Sequence, residues 1–160
     1  MAIIFTDQEI AGLIQEPKPL PSDYQVKIQI RPKRGHKERE LDLKGSSGSE
    51  FRLVLRQSLI NPFDFSVILI YRPSISNQLF RLRRYNGKSH EHTNPIEGKM
   101  FYDFHIHQAT QRYQEIGARE DTFAEPSDRF ADLQQAIKCL FTDCGFQMPY
   151  DPQGKLFEEI

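Results

Sequence analysis

The chain has 160 residues, of which 38% are hydrophobic, 27% charged and 11% aromatic, and this composition excludes an intrinsically disordered polypeptide. A chain of this length can bury enough apolar surface to fold without metal or disulfide staples. We therefore expect a single domain over residues 1–160. Its predicted parts are an N-terminal helix and connector (1–20), a sheet (21–108), helices (109–146) and a tail (147–160).

The sequence carries no signal for membrane insertion or export. No apolar run approaches the ~20 residues that a bilayer-spanning helix needs. The N-terminus also lacks the basic and apolar regions of a secretory signal. The two cysteines, Cys139 and Cys144, are expected to be reduced thiols. These features predict a cytoplasmic protein with no membrane partner.

The net charge of −1 conceals an uneven distribution along the chain. Residues 18–88 hold 15 Lys and Arg against 6 Asp and Glu, whereas residues 89–160 hold 6 against 13. Either the two parts neutralise each other in the fold, or the basic part faces a polyanion such as nucleic acid.

The first predicted element is a short helix. Thr6 with Glu9 three residues later is a capping box, and the helix should end before the prolines of "PKPLP". The chain then changes to an alternation of apolar and polar residues, which indicates a half-buried strand. The apolar positions of this strand are Tyr24, Val26, Ile28 and Ile30.

Further alternating segments predict a sheet of about six strands. They are "LDLKG", "EFRLVLRQ", "DFSVILIYR", "NQLFRLRRYN" and "FYDFHIHQ". The basic turn "RPKRGHKERE" is typical of a solubilising hairpin tip, with a nucleic-acid patch as the alternative.

The period becomes helical after the last strand. "ATQRYQEIG" indicates a short helix closed by Gly117, and Ser127 can cap a longer helix over "DRFADLQQAIKCLFTDC". The order of elements predicts an α+β fold, with an antiparallel sheet, an N-terminal helix and C-terminal helices packed on one face.

The strongest candidate for a chemical site lies in the predicted strand "FYDFHIHQ". Four of the five histidines of the chain fall between residues 90 and 107. Strand alternation places Asp103, His105 and His107 on one face, because side chains two residues apart point the same way. The opposite, core-facing side would carry Tyr102, Phe104 and Ile106.

This grouping can support proton transfer. His105 and His107 would serve as acid and base, and Asp103 would orient one imidazole. If the preceding strand pairs antiparallel, Arg81 and Arg83 share this face and can hold a phosphate. Further basic side chains would extend a nucleic-acid track, namely Arg52, Arg56, Lys27 and Arg31. The pattern is that of a metal-independent ribonuclease or an RNA-binding protein.

Three alternatives remain open at the level of sequence. The polar face can be a solvated sheet surface without a site. The set His90, His92, His105 and His107 offers nitrogen ligands for zinc or another divalent metal, although a His-x-His pair is a weak signal. The protein can also be a non-catalytic interaction module that docks a protein partner.

The run "RYNGKSHEHTNPIEG" followed by "FHIHQATQRYQEIG" resembles a bacterial family of uncharacterised domains of this length. More distantly, residues 71–117 are similar to the TumE-like toxins of toxin–antitoxin systems. That resemblance implies an action on nucleic acid or translation, and a small antitoxin-like protein that neutralises it.

Overall fold

The structure, a computed structural model, describes residues 3–149. Its helices are α1 (Asp7–Gln15), α2 (Tyr24–Lys27), α3 (Gln111–Glu115) and α4 (Leu133–Asp143). Its strands are β1 (Lys18–Pro19), β2 (Arg31–Lys33), β3 (His36–Lys44), β4 (Glu50–Ser58), β5 (Phe65–Tyr71), β6 (Phe80–Asn86), β7 (His92–Asn94), β8 (Lys99–Phe101), β9 (His105–Gln108), β10 (Ala124–Pro126) and β11 (Phe146–Gln147).

Seven strands form one antiparallel sheet in the order β10-β9-β6-β5-β4-β3-β2. The predicted α+β class is confirmed, and the sheet has seven strands where about six were expected. Strands β7 and β8 form a separate two-stranded hairpin, and β1 pairs with β11 in parallel. The predicted tail begins within β11, and its residues from 150 onward lie outside the described residues.

One face of the sheet, the helix face, carries the hydrophobic core. Helix α4 packs on β5 and β6, and side chains of α1 and α2 join the same cluster. The sheet side of this core comes from alternate positions of the strands, which are fully or almost fully buried: Phe51, Leu53, Leu55, Phe65, Val67, Leu69, Leu82 and Tyr85. The opposite face, the outer face, carries the polar positions of the same strands.

The capping box of α1 is present, because the Thr6 side chain accepts from Glu9 N and the Glu9 side chain accepts from Thr6 N. The predicted strand at 24–30 is wrong, because residues 24–27 form α2 and Val26 is 57% exposed. Tyr24 and Ile28 are both buried. They lie four residues apart, a spacing that puts two side chains on one face of either a strand or a helix.

The C-terminal helix begins later than its sequence pattern indicates. Residues Ala124–Pro126 form the edge strand β10, and the side chain of Asp132 caps α4 by accepting from Gln135 N. The short helix α3 is capped by Thr110 and followed by Gly117 at a φ of 77°. None of the helices within residues 3–149 is long and apolar enough to cross a membrane.

A β-bulge in β6 decides which side chains reach each face. Arg81 lies opposite Ile70 and Arg83 lies opposite Leu69, so Leu82 is an extra residue in β6. The alternation therefore shifts by one position after Leu82. As a result Arg83 turns to the helix face, while Arg84 turns to the outer face.

Candidate functional site

The histidines of β9 lie on the outer face, beneath the β7–β8 hairpin. His105 and His107 are 0% and 4% exposed, so the expectation of a solvated polar face is wrong. The alternation of the strand itself is as predicted at Ile106, which joins the core on the helix face. Tyr102 was expected in the core but is 51% exposed, because β9 begins only at His105.

Four imidazole rings gather at this position, and we call them the histidine cluster: His90, His92, His105 and His107. The ring centroid of His107 lies 4.7 Å from that of His92 and 4.9 Å from that of His105. His92 stacks on His105 at 5.7 Å, and the exposed His90 lies 6.3 Å from His105. The cluster therefore runs from the protein surface to the interior.

Backbone carbonyl groups fix the tautomers of the two buried rings. His105 Nδ1 lies 2.7 Å from the carbonyl oxygen of Asp103, and His107 Nδ1 lies 2.8 Å from that of Asp121. A carbonyl only accepts, so each Nδ1 carries the proton and each Nε2 keeps a lone pair in the neutral ring. Nε2 of His105 is buried without a hydrogen-bond partner among the described residues.

Asp103 reaches the cluster by its backbone and not by its carboxylate. Its side chain is exposed, and the atom that orients His105 is the main-chain oxygen. The orienting role predicted for the Asp103 carboxylate therefore finds no counterpart in these contacts.

The β7–β8 hairpin is fastened to the edge strand by Asn94. Asn94 Nδ2 donates to Ala124 O at 2.7 Å, and Asn94 Oδ1 accepts from Ala124 N at 2.9 Å. The same oxygen lies 2.8 Å from His92 Nε2, which therefore carries the proton of that ring. Asn94 thus holds the hairpin over the two buried histidines.

Burial decides the charge of these histidines. It lowers the pKa of His105 to about 4 and, together with the nearby guanidinium of Arg84, that of His107 to about 2. Both rings are neutral at pH 7 and present acceptors. In this arrangement each ring can accept a proton at Nε2, but neither carries a proton there that it could donate. A pair of acid and base therefore requires the hairpin to open.

Arg84 and Asp121 complete the cluster, and sequence reasoning missed both. Arg84 lies opposite His107 in the sheet, and its Nε is 3.1 Å from Asp121 Oδ2. The other oxygen of Asp121 lies 2.9 Å from Nε of Arg119. The Asp121 side chain is 0% exposed, whereas its partners Arg84 and Arg119 are 20% and 48% exposed. Arg84 could have been identified only if the bulge at Leu82 had been known, and no pattern in "RLRRYN" reveals that bulge.

The expected phosphate track along the sheet does not form as a continuous row of free charges. Four of the predicted side chains contact carboxylates: Arg52 with Asp42 (2.7 Å), Arg81 with Glu120 (2.8 Å), Lys27 with Asp23 (3.6 Å) and Arg56 with Asp64 (3.9 Å). Arg81 is on the outer face as predicted, but the prediction that Arg83 shares the face of the histidines is wrong because of the bulge. Lys27 lies on α2 and not on a strand.

Unpaired positive charge is concentrated at the far edge of the sheet, on residues 31–39 of β2 and β3, which we call the edge hairpin. Lys33 contacts Glu38 at 3.1 Å. The other basic side chains of the hairpin have no carboxylate within 4.0 Å among the described residues: Arg31, Arg34, Lys37 and Arg39. Arg31 is the one member of the predicted track that lies here.

No group of three His, Cys, Asp or Glu residues within the described part of the chain is arranged to hold a metal ion. His92 directs Nε2 to Asn94, so the nitrogens of the cluster do not converge on one point. The zinc alternative stays a prediction.

A family model described as a family of unknown function, DUF6978, matches residues 5–144. The match spans β1 to β10 and all four helices, and so includes both the histidine cluster and the edge hairpin. Neither the curated proteins nor the solved structures contain a match to this chain.

Proposed function

The chain belongs to DUF6978, a family of unknown function, and we propose that it binds RNA through the edge hairpin. The observation that carries the proposal is the set of four unpaired basic side chains on this hairpin. Backbone phosphates attract such charges, and the release of counterions makes the binding salt-dependent.

The geometry of the hairpin suits an extended nucleic-acid backbone. Arg31 lies opposite Glu38 on the outer face, whereas Lys37 and Arg39 point to the other side of the strands. Positive charge is therefore present on both faces of a sheet edge. Arg34 and Gly35 form the exposed tip, and Gly35 adopts a φ of 73° that permits the tight turn.

Binding of a single-stranded RNA to two matched variants tests the proposal. For about four phosphate contacts, the slope of log K against log salt concentration should be about −3 for the wild type. We expect Arg31→Gln/Arg34→Gln/Lys37→Gln to bring the slope to about −1. The control Arg52→Gln/Arg56→Gln/Arg81→Gln removes the same charge from side chains that contact carboxylates, and should leave the slope near the wild-type value.

Two results would overturn RNA binding at the hairpin. One is an absence of binding by the folded wild-type protein at low salt. The other is an equal loss of slope in the two triple variants, because it would show a response to net charge alone. Circular dichroism and thermal melting of each variant separate lost binding from lost folding.

A second candidate function is RNA cleavage by a toxin-like protein, favoured by the unpartnered Nε2 of His105. An opened β7–β8 hairpin would expose His105 and His107 beside Arg84, giving a base, a second imidazole and a phosphate-binding guanidinium. Incubation of RNA with wild type and with His105→Ala/His107→Ala, followed by gel electrophoresis, tests it. Cleavage that persists in the double variant contradicts this candidate.

The toxin-like function also predicts an antitoxin-like partner. Expression of the wild type alone should then slow bacterial growth, while the double histidine variant should not. Equal growth with both proteins, each shown to be soluble, would count against a toxin.

A further inference from the structure

A cleft on the helix face lies where β6, β9 and β10 meet the end of α4. It has a volume of about 460 Å³ and is lined mainly by polar side chains, among them Arg83, Gln108, Glu125, Ser127 and Arg129. The sheet separates this cleft from the histidine cluster, because Arg83 and Ile106 point to the helix face and Arg84 and His107 to the outer face.

Arg83 is directed into this cleft by the bulge at Leu82, and its charge is not neutralised there. The only hydrogen bond of the guanidinium among the described residues is from Nη1 to Tyr85 Oη, at 3.3 Å. Nε of Arg83 is buried without a partner, and no carboxylate of the described chain lies within 4.0 Å of the guanidinium. A guanidinium without an anionic partner is costly where it is shielded from water, and an anionic ligand in the cleft can supply that partner.

The acidic groups that line the cleft are already engaged. Asp143 accepts two hydrogen bonds from Arg129, at 2.7 and 2.9 Å, and one from the hydroxyl of Tyr85. Glu125 accepts from Gln108 Nε2 at 2.8 Å. Arg83 is therefore left as the cation of this cleft that has no carboxylate partner.

We propose that the cleft binds a small phosphate monoester, with the phosphate on the Arg83 guanidinium. A guanidinium matches two phosphate oxygens in a bidentate contact, and Arg83 lines the cleft without a carboxylate partner. The volume of about 460 Å³ lies in the range of small-molecule sites and suits a ligand of the size of a nucleoside monophosphate. Glu125 and Ser127 offer acceptors for hydroxyl or amino groups of that ligand.

Calorimetric titration with AMP, with adenosine and with inorganic phosphate tests the site. We expect AMP and phosphate to bind and adenosine not to bind. Arg83→Gln should weaken AMP binding at least tenfold, since it removes a charged hydrogen-bond pair. The control Arg52→Gln removes a guanidinium that contacts Asp42 on the same sheet, and should bind AMP as the wild type does.

A resonance of the wild type provides a second readout, in which the ligand is added to the unsubstituted protein. The Arg83 Nε–H signal, assigned by its loss in Arg83→Gln or in a selectively labelled sample, should shift as AMP is added. No AMP binding at millimolar concentration, or AMP binding without a change at Arg83, would overturn the site. Acetate binding as tightly as phosphate would overturn its phosphate character.

This site is independent of RNA binding at the edge hairpin. The variant Arg31→Gln/Arg34→Gln/Lys37→Gln should bind AMP as the wild type does, and Arg83→Gln should keep the salt slope of RNA binding. Failure of either site therefore leaves the other measurable. RNA is then added to the wild type and to Arg31→Gln/Arg34→Gln/Lys37→Gln. If RNA abolishes AMP binding in both proteins, Arg83 holds a phosphate of RNA and not that of a free monoester. This result would overturn the small-ligand assignment.

Discussion

Arg83 and Arg84 are neighbours in sequence and lie on opposite faces of one sheet, in very different surroundings. Arg84 contacts the fully buried Asp121 beside neutral histidines. Arg83 borders an open cleft and has no carboxylate partner among the described residues. One extra residue, Leu82, separates a closed ionic centre from an open cationic one.

The two faces of the sheet differ in where the partner of each guanidinium comes from. On the outer face Arg84 is paired with a buried carboxylate beneath the β7–β8 hairpin, so its interactions act on stability. On the helix face a guanidinium donor is left over, so the interaction that would satisfy it comes from outside the chain. Substitutions on the two faces should therefore have unequal effects on folding.

The largest effect is expected when the buried carboxylate is removed. Asp121→Ala leaves Arg84, whose side chain is 20% exposed, without its partner, and breaking such a buried pair costs about 3–5 kcal/mol of the free energy of unfolding. Arg119 is 48% exposed, so water solvates it and it adds little to this cost. Asp143→Ala is the matched change on the helix face, where the side chain is 18% exposed and its partner Arg129 is 48% exposed. Its cost should be clearly smaller, because water solvates the freed guanidinium.

Urea denaturation of both variants measures these two costs. An equal loss in Asp121→Ala and Asp143→Ala would break the comparison, because it would mean that the two carboxylates are equally shielded. A larger loss for Asp143→Ala would reverse it.

Between pH 6.5 and 5, acidification should act through the buried histidines of the outer face. The pKa values of His105 and His107 in the folded protein, about 4 and about 2, lie below the ordinary value of 6.5, so the unfolded chain takes up protons first as the pH falls. Stability that is present above pH 6.5 is then lost as the pH falls, toward about 4 for His105 and toward about 2 for His107. Each histidine should contribute about 1.4 kcal/mol per pH unit within this window.

The slope of stability between pH 6.5 and 5 is the quantity to measure, since most carboxylates stay ionised there. His107→Gln should reduce the slope by the contribution of about one bound proton, and His105→Gln should reduce it by the same amount. A slope that survives the double substitution of His105 and His107 would mean that other groups bind the protons.

Part of this arrangement follows from sequence pattern. Alternation places His105 and His107 on one face and Ile106 on the other, and the spacing of Thr6 and Glu9 locates the first helix cap. These are local relationships, set by the period of a strand or by the first turn of a helix.

The closure of the site does not follow from pattern. The alternation of residues in the sequence does not reveal the bulge at Leu82. It therefore assigns Arg83 to the face that Arg84 occupies. Nor does it show that the β7–β8 hairpin folds over β9, or that the partner of Arg84 lies 37 residues away at Asp121. Both depend on contacts between segments distant in sequence.

The smallest effect is expected at the hydroxyl of Tyr85, which links the two sides of the cleft. It donates to Asp143 and accepts from Arg83 Nη1, and burial raises the pKa of Tyr85, so the phenol stays protonated as a donor. Tyr85→Phe should cost about 1–2 kcal/mol, because a neutral hydroxyl is lost and both charged partners keep access to water.

Tyr113→Phe is the corresponding change near the outer face, where the hydroxyl donates to Glu97 and accepts from Ile96 N at 3.1 Å. Urea denaturation compares the two variants, and calorimetry measures their binding of AMP. Because Tyr85 is the only hydrogen-bond partner of the Arg83 guanidinium within the described residues, Tyr85→Phe should change AMP affinity, whereas Tyr113→Phe should not. Equal AMP affinity in both variants, at similar losses of stability, would mean that Arg83 keeps its position without the phenol.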